Sequence, residues 1–165
     1  MEIQDIMLAQ DIKRWTIVRM MREQSLAEHS FNVTMIARAI CKEIGLDDTN
    51  VTKYALDHDL DEILTGDIPT PAKQRLKIRD PYKGSGRALC DSQEISIVML
   101  ADMIEAIAFI QDNQIGRHAN VVAEELTTRY TRRCDLISAT NPKLITAANK
   151  VVLKLLDSPY ETEKS

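Results

Sequence analysis

Residues 25–45 read "SLAEHSFNVTMIARAICKEIG", and this stretch decides the fold class. Val33, Ile36, Ala37, Ile40 and Ile44 recur at intervals of three and four. That spacing puts them on one face of an α-helix and is not the alternation of a strand. The same stretch carries its own start and stop. Ser25 and Glu28 form the S-x-x-E pattern of a capping box, in which each side chain satisfies the other residue's backbone N–H. Gly45 ends the helix, because glycine enters the left-handed conformation without a Cβ penalty.

Working outward, the helical period persists. A first helix is expected over residues 2–13. Asp48 or Thr49 starts another, which runs to Leu64 and stops at Gly66. "GDIPTPAK" (66–73) then reads as an ordered turn, since its prolines forbid a continuing helix. "RDPYKGSGR" (79–87) reads as the one flexible loop. Ser92 caps a long apolar helix to near Gln111, a further helix covers 117–138, and Asn141–Pro142 opens the last in the favoured cap-then-proline order. No NG or DG hairpin turn and no internal repeat occurs. The expectation is an all-α bundle of about six helices, one domain over 1–158 with a frayed tail at 159–165.

Composition excludes several function classes. The 165 residues are enough for one domain with a sizeable core, and 44% hydrophobic content argues against disorder. A net charge of −4 disfavours a broad nucleic-acid footprint but permits a local basic site for a small anion. Cys41, Cys90 and Cys134 form no C-x-x-C, so they read as reduced cytoplasmic thiols without a disulfide framework or zinc knuckle. The opening "MEIQDIMLAQ" is acidic and too short for a signal peptide. The longest apolar run, Ile95 to Ile110, is broken by Asp102 and Glu105 and falls short of a membrane span.

Chemistry concentrates in "HDLDEILTGDIPTPAK" (58–73). Asp59, Asp61, Glu62 and Asp67 crowd His58, one of only three histidines. Like charges this dense weaken a helix unless they are solvated or held by a cation. On a continuous helix His58 and Glu62 share a face with Tyr54 and Ala55, while Asp57 and Asp61 point outward. Imidazole and carboxylate together suit a divalent cation; the alternative is a polar face with salt bridges to lysines. His29 has apolar neighbours, and Asp102 sits inside "SIVMLADMIEAIAFI", where a carboxylate is rarely idle. Alone, each could be a satisfied core residue. Together, His29, His58, Asp59 and Asp102 make a two-histidine, two-carboxylate set from three helices. His118 reads as surface.

The pattern H…HD…D, as His29, His58–Asp59 and Asp102, resembles the HD-domain metal-dependent phosphohydrolases. "HDLDEILTGDIPTPAK", with "RW" at 14–15 and "AEHS" at 27–30, is similar to the 5′-deoxynucleotidase branch over about residues 10–110. The resemblance implies that His29, His58, Asp59 and Asp102 hold a divalent cation (cobalt, manganese, zinc or magnesium). It implies that Glu62 is the general acid/base, that Asp67 positions water or the leaving oxygen, and that Arg14 and Lys73 bind phosphate. Trp15 would pack on the sugar and leave no room for a 2′-hydroxyl.

The chain departs from the branch in being trimmed between His29 and His58 and between Lys73 and Asp102. It also carries Met99 where many relatives have lysine. Trimming and "RWTI" (14–17) resemble the small phage-type dATP triphosphohydrolases, in which the position of Ile17 lines the base pocket. The leading expectation is therefore cleavage of the 5′ phosphate ester of 2′-deoxynucleotides, dATP going to deoxyadenosine plus triphosphate. A dNMP 5′-nucleotidase is the close alternative, and a catalytically silent metal- or nucleotide-binding regulator the rival of another class. Glu62 and Asp67 argue against that rival, since pure binding needs neither. The resemblance implies a small-molecule deoxynucleotide as partner, with no nucleic-acid polymer and no membrane. It also implies a homo-oligomer, dimer or larger ring, in the cytoplasm, for a phage-type member that of the infected bacterium.

Overall fold

The apolar run around Asp102 becomes the axis of the molecule. It lies in a helix buried on most of its circumference, as expected for a segment hydrophobic nearly all round. The computed structural model describes residues 6–77 and 85–156. Among these, the α-helices are α1 (Leu26–Ile44), α2 (Thr49–Asp57), the single turn α3 (Glu62–Thr65), α4 (Thr70–Leu76), α5 (Ser92–Asn113), α6 (Gly116–Ser138) and α7 (Pro142–Leu156). Short 3₁₀ turns lie at Met7–Gln10 and Ser85–Leu89. No strand occurs among the described residues, only the isolated bridges Lys13–Ser25 and Met20–Gln114. The architecture is all-α, as the periodicity implied. The expected tail at 159–165 and most of the expected loop at 79–87 lie outside the described residues.

The core is built where apolar stripes meet. Val33, Ala37, Ile40 and Cys41 of α1 pack with Val51 and Ala55 of α2, Ile97, Leu100, Ala101 and Ile104 of α5, and Leu144 and Ala148 of α7. Close packing of this kind makes each large side chain worth about 2–5 kcal/mol against alanine. Helix α1 ends at Gly45 with φ +73°, the left-handed cap read from the sequence. Asn141 Oδ1 accepts the Leu144 N–H at 3.1 Å, so the cap of α7 is also as expected. Cys41, Cys90 and Cys134 are free thiols. No helix among the described residues is long and apolar enough to cross a membrane.

Several expectations are corrected. In place of a helix over 2–13, the described part holds one 3₁₀ turn followed by extended chain, with the Arg14 N–H donating to Gln24 O at 2.9 Å and the Leu26 N–H to Ile12 O at 2.9 Å. Only half of the Ser25–Glu28 box forms: Ser25 Oγ accepts the Glu28 N–H, while the Glu28 carboxylate takes both ends of the Arg22 guanidinium. A charge-assisted fork outcompetes a single amide. The complete box is at α5, where the cap is Asp91 with Glu94, not Ser92. In "GDIPTPAK" only Gly66–Pro69 is irregular; helix α4 begins at Thr70, with Pro71 in a first turn that tolerates it.

The expected helix 49–64 is broken. Helix α2 stops at Asp57, and the N–H groups of Leu60, Glu62, Ile63 and Leu64 donate three residues back, to Asp57, Asp59, Leu60 and Asp61. These are 3₁₀-type turns leading into α3, and they advance side chains faster around the axis than an α-helix. Consequently Asp61 does not point outward but is buried, while Asp57, still on α2, accepts the Gly86 N–H at 2.8 Å. Gly86 needs to be glycine: a Cβ there would stand 2.6 Å from the Tyr54 backbone nitrogen.

Candidate metal centre and substrate site

The break between α2 and α3 builds the site, because it turns His58 and Asp59 together toward α1 and α5. His29, in the first turns of α1, is fully buried. Its Nε2 lies 3.6 Å from Asp59 Oδ2 and 3.3 Å from Asp102 Oδ1. His58 Nε2 lies 3.4 Å from Asp59 Oδ2 and 4.0 Å from Asp102 Oδ1. The Nε2 atoms of both histidines are buried without a hydrogen-bond partner. Two orphaned imidazole nitrogens facing two carboxylate oxygens are the donor set of a divalent cation, and His29, His58 and Asp102 offer ligand atoms within 4.8 Å of one another. The other ring nitrogens are already engaged. His58 Nδ1 lies 2.8 Å from the Ala55 carbonyl, and His29 Nδ1 lies 2.7 Å from Glu105 Oε2.

The remaining residues surround this centre. Arg14, on the extended segment before α1, donates from Nη1 to Asp59 Oδ2 at 3.0 Å and lies 3.7 Å from Glu62 Oε2. Lys73 on α4 donates to Glu62 Oε1 at 3.0 Å. The acid expected to move protons is thus held between the two cations expected to bind phosphate. Asp67 lies close enough for its charge to act on both Arg14 and Glu62. Trp15 has φ +64°, a strained value for a tryptophan. Its ring stacks on Phe109 with centroids 5.9 Å apart, and its Nε1–H donates to Gln24 Oε1 at 2.8 Å. Ile17 is 56% exposed, so it is not a core residue. His118 is exposed, as expected. Met99, where the sequence offers no cation, has the Arg133 guanidinium against its sulfur.

The electrostatics follow from burial and crowding. Burial raises the Glu62 carboxyl first and Asp59 and Asp67 add to it; Arg14 and Lys73 pull it back, leaving it at about 7. Burial and Arg14 lower His29, but Asp102 and Glu105 outweigh them and lift it to about 9. Burial would raise Asp102, yet His29, His58 and Arg14 hold it well below the carboxylate range. Asp59 is likewise held low against its burial by His58, Arg14 and His29.

Two buried polar residues escaped the sequence reading. Glu105 is one turn beyond Asp102 on α5, and Gln24 immediately precedes the α1 cap. Gln24 Nε2 donates to Glu105 Oε1 at 2.6 Å, and Asn32 Nδ2 donates to the same oxygen at 3.2 Å. The available signal was the three-residue interval between Asp102 and Glu105 inside an apolar run, which puts both on one face.

Comparison with known proteins agrees with this geometry. Residues 5–85 match the YfbR-like 5′-deoxynucleotidase family. The dATP triphosphohydrolase of Salmonella phage PMBT28 is 31% identical over 144 residues, spanning 76% of this chain and 74% of the relative. The chain belongs to the YfbR-like family of HD phosphohydrolases. The family assignment is supported by the dATP triphosphohydrolase of cyanophage S-2L, 31% identical over 138 residues and spanning 76% of this chain and 78% of the relative. The cyanophage S-2L HD phosphohydrolase DatZ, solved bound to dA and one catalytic Zn²⁺ ion, superposes with a TM-score of 0.82 at 26% identity, covering 93% of this chain and 95% of that one. An HD-domain phosphohydrolase of Listeria innocua shares the fold, with a TM-score of 0.61 at 21% identity over 94% of this chain and 88% of its own. The YfbR-like protein is thus an HD-domain hydrolase with a His/Asp cluster suited to a divalent cation.

Proposed function

We propose that this YfbR-like protein hydrolyses the 5′ phosphate ester of 2′-deoxynucleotides, with dATP going to deoxyadenosine and triphosphate. The observation that carries the reading is Glu62: a buried acid with a pKa at about 7, gripped by Arg14 and Lys73, beside the two orphaned histidine nitrogens. His29, His58, Asp59 and Asp102 would hold the cation. Zinc is the first to test, because DatZ was solved with one catalytic Zn²⁺. When bound, the cation supplies Lewis-acid activation of water and positive charge for the phosphoryl oxygens.

Each residue's part follows from its chemistry. Glu62, with its pKa near the operating pH, can take a proton from the attacking water and return one to the 5′ oxygen. Arg14 presents a fork and Lys73 a point charge to phosphate, exchanging their bonds to Asp59 and Glu62 for bonds to substrate. Asp67 helps position the water or leaving oxygen. Trp15 walls the sugar at the 2′ position, and exposed Ile17 offers an apolar surface to adenine. Attack at the α-phosphorus breaks the bond to the 5′ oxygen, so everything beyond the sugar leaves as one unit.

The same bond would be cleaved in a dNMP. Relatives carrying the 5′-deoxynucleotidase name, such as that of Enterobacter sp. strain 638 at 26% identity over 92% of this chain, keep this second reading open to test. We take the protein as a homo-oligomer acting in a reducing cytoplasm, and residues 1–158 as one domain. The test is incubation of dATP and dAMP with the Zn²⁺-, Co²⁺- or Mn²⁺-loaded protein, with the released phosphate species identified. Intact triphosphate is expected from dATP. Pyrophosphate or orthophosphate as first product refutes the triphosphohydrolase reading, and turnover of dAMP alone favours the nucleotidase.

A further inference from the structure

We propose that Glu105 is the positioning residue that ties the cation site to the sugar-side indole, so that one buried carboxylate sets both the ligand atom of His29 and the seat of Trp15. The cation half of this inference rests on the function proposed above. The argument is one of hydrogen-bond direction. Glu105 is 3% exposed, and three groups converge on its carboxylate: His29 Nδ1 at 2.7 Å, Gln24 Nε2 at 2.6 Å and Asn32 Nδ2 at 3.2 Å. An ionised carboxylate only accepts. His29 must therefore carry a proton on Nδ1, so Nε2, which faces Asp59 and Asp102, is the ring nitrogen that would be bare when a cation is bound.

On the other side, the Gln24 amide must turn its NH₂ to Glu105, which directs its Oε1 to Trp15. The indole N–H can only donate, and it does so to that oxygen at 2.8 Å. The chain Trp15–Gln24–Glu105–His29 thus has one permitted polarity. Gln24 and His29 are both 0% exposed, so water cannot replace a lost partner without rearrangement. The same stretch of α5 supplies the rest of the seat. Phe109, one turn past Glu105, stacks on the Trp15 ring and carries the Arg22 guanidinium 4.7 Å above its own.

An amide at position 105 breaks the polarity. Glutamine offers one accepting atom to donors that occupied two. Either His29 loses its partner or Gln24 and Asn32 do, and inverting Gln24 brings its NH₂ against the indole N–H. The experiment uses the whole protein stripped of metal, titrated with Zn²⁺ alone by calorimetry. In parallel, acrylamide quenching is followed for Trp15, the sole tryptophan. Glu105→Gln, still helical by circular dichroism, is expected to bind Zn²⁺ about 10- to 100-fold more weakly and to expose the indole to quencher. His58→Ala is expected to lose Zn²⁺ affinity while leaving the indole shielded, which separates the shared tie from mere loss of the ion. Unchanged affinity, or an unchanged indole, in Glu105→Gln overturns the proposal.

Should that variant not fold, a long-range ¹H–¹⁵N spectrum of the unmodified Zn²⁺-loaded protein decides instead. His29 with its proton on Nδ1 supports the proposal, and any other tautomer refutes it. If the unmodified protein takes up no Zn²⁺, the cation reading falls, and the quenching comparison alone rules on Glu105 and Trp15.

Discussion

Replacing Lys73 by methionine separates two jobs that one ammonium group can do. Lys73 Nζ sits 3.0 Å from Glu62 Oε1 with the lysine side chain 29% exposed. It is one of two cations that hold the Glu62 pKa down, against burial and the charges of Asp59 and Asp67 that push it up, and the balance is at about 7. Removing a positive neighbour from an acid raises its pKa. Opposite charges within a few ångströms shift a carboxyl by about 1–3 units, and the partial exposure of Lys73 puts its share near 1. From a starting point of about 7, the ionised fraction at neutral pH then falls from a half to about a tenth, roughly a fivefold loss of the basic form.

If Glu62 is the base, kcat at saturating dATP should fall by that factor at neutral pH and recover in alkaline buffer. Its pH profile should be displaced upward by about one unit. A bound cation shifts the absolute position in both proteins, so the difference between them is the quantity read. If Lys73 also meets phosphate, KM for dATP should rise more than KM for dAMP. A profile of unchanged position, with the loss confined to KM, refutes the tuning argument and leaves Lys73 as a phosphate contact alone.

His58→Ala and Asp102→Asn should abolish metal retention and turnover together, since each removes one of the four proposed ligands; full activity of either in chelator-treated buffer ends the cation mechanism. Glu62→Gln should keep its metal while kcat falls by about 10²-fold or more, and calorimetry showing metal loss instead would make Glu62 a ligand. Trp15→Ala should move the dATP-to-ATP rate ratio toward unity and raise KM, whereas equal rates on ATP and dATP by the unmodified protein would remove the argument for Trp15. Gly86→Ala should lower the melting temperature, because the new Cβ meets the Tyr54 nitrogen at 2.6 Å and overpacking costs about 1–3 kcal/mol; an unchanged melt would show that the turn simply shifts.

Periodicity made α1, α5, α6 and α7 legible, because their apolar stripes are long and their ends carry Gly45, Asn141 and Pro142 as punctuation. The break at His58–Asp61 was not legible in this way. Four acids within ten residues signal strain, but only packing decides whether that strain is released by solvation or by 3₁₀ winding. The misreading of Asp61 as outward follows from extending an α-helical period through a segment that does not keep it, and that of Asp57 from its contact with Gly86, 29 residues away. His58, Asp59 and Asp102 stood out because charge in an apolar context is costly. Arg14 and Trp15 lie on non-periodic chain, so resemblance alone could mark them. Glu105 shares the apolar context of Asp102, yet its meaning depends on Gln24, 81 residues away, and no local pattern carries that contact.

Lys73 on α4 and Gly86 in the second 3₁₀ turn are both fastened to one short piece of the molecule. Lys73 is tied to Glu62 and Gly86 to Asp57, with His58 and Asp59 between those two posts. A segment clamped at its base is thermodynamically forgiving: each doubling of loop length adds only about 0.6 kcal/mol of closure entropy. The sequence between Lys73 and Gly86 can therefore be exchanged as a cassette without touching His58 or Asp59. Swapping in the corresponding stretch of a nucleotidase relative is a direct route to retailoring how many phosphates the enzyme accepts.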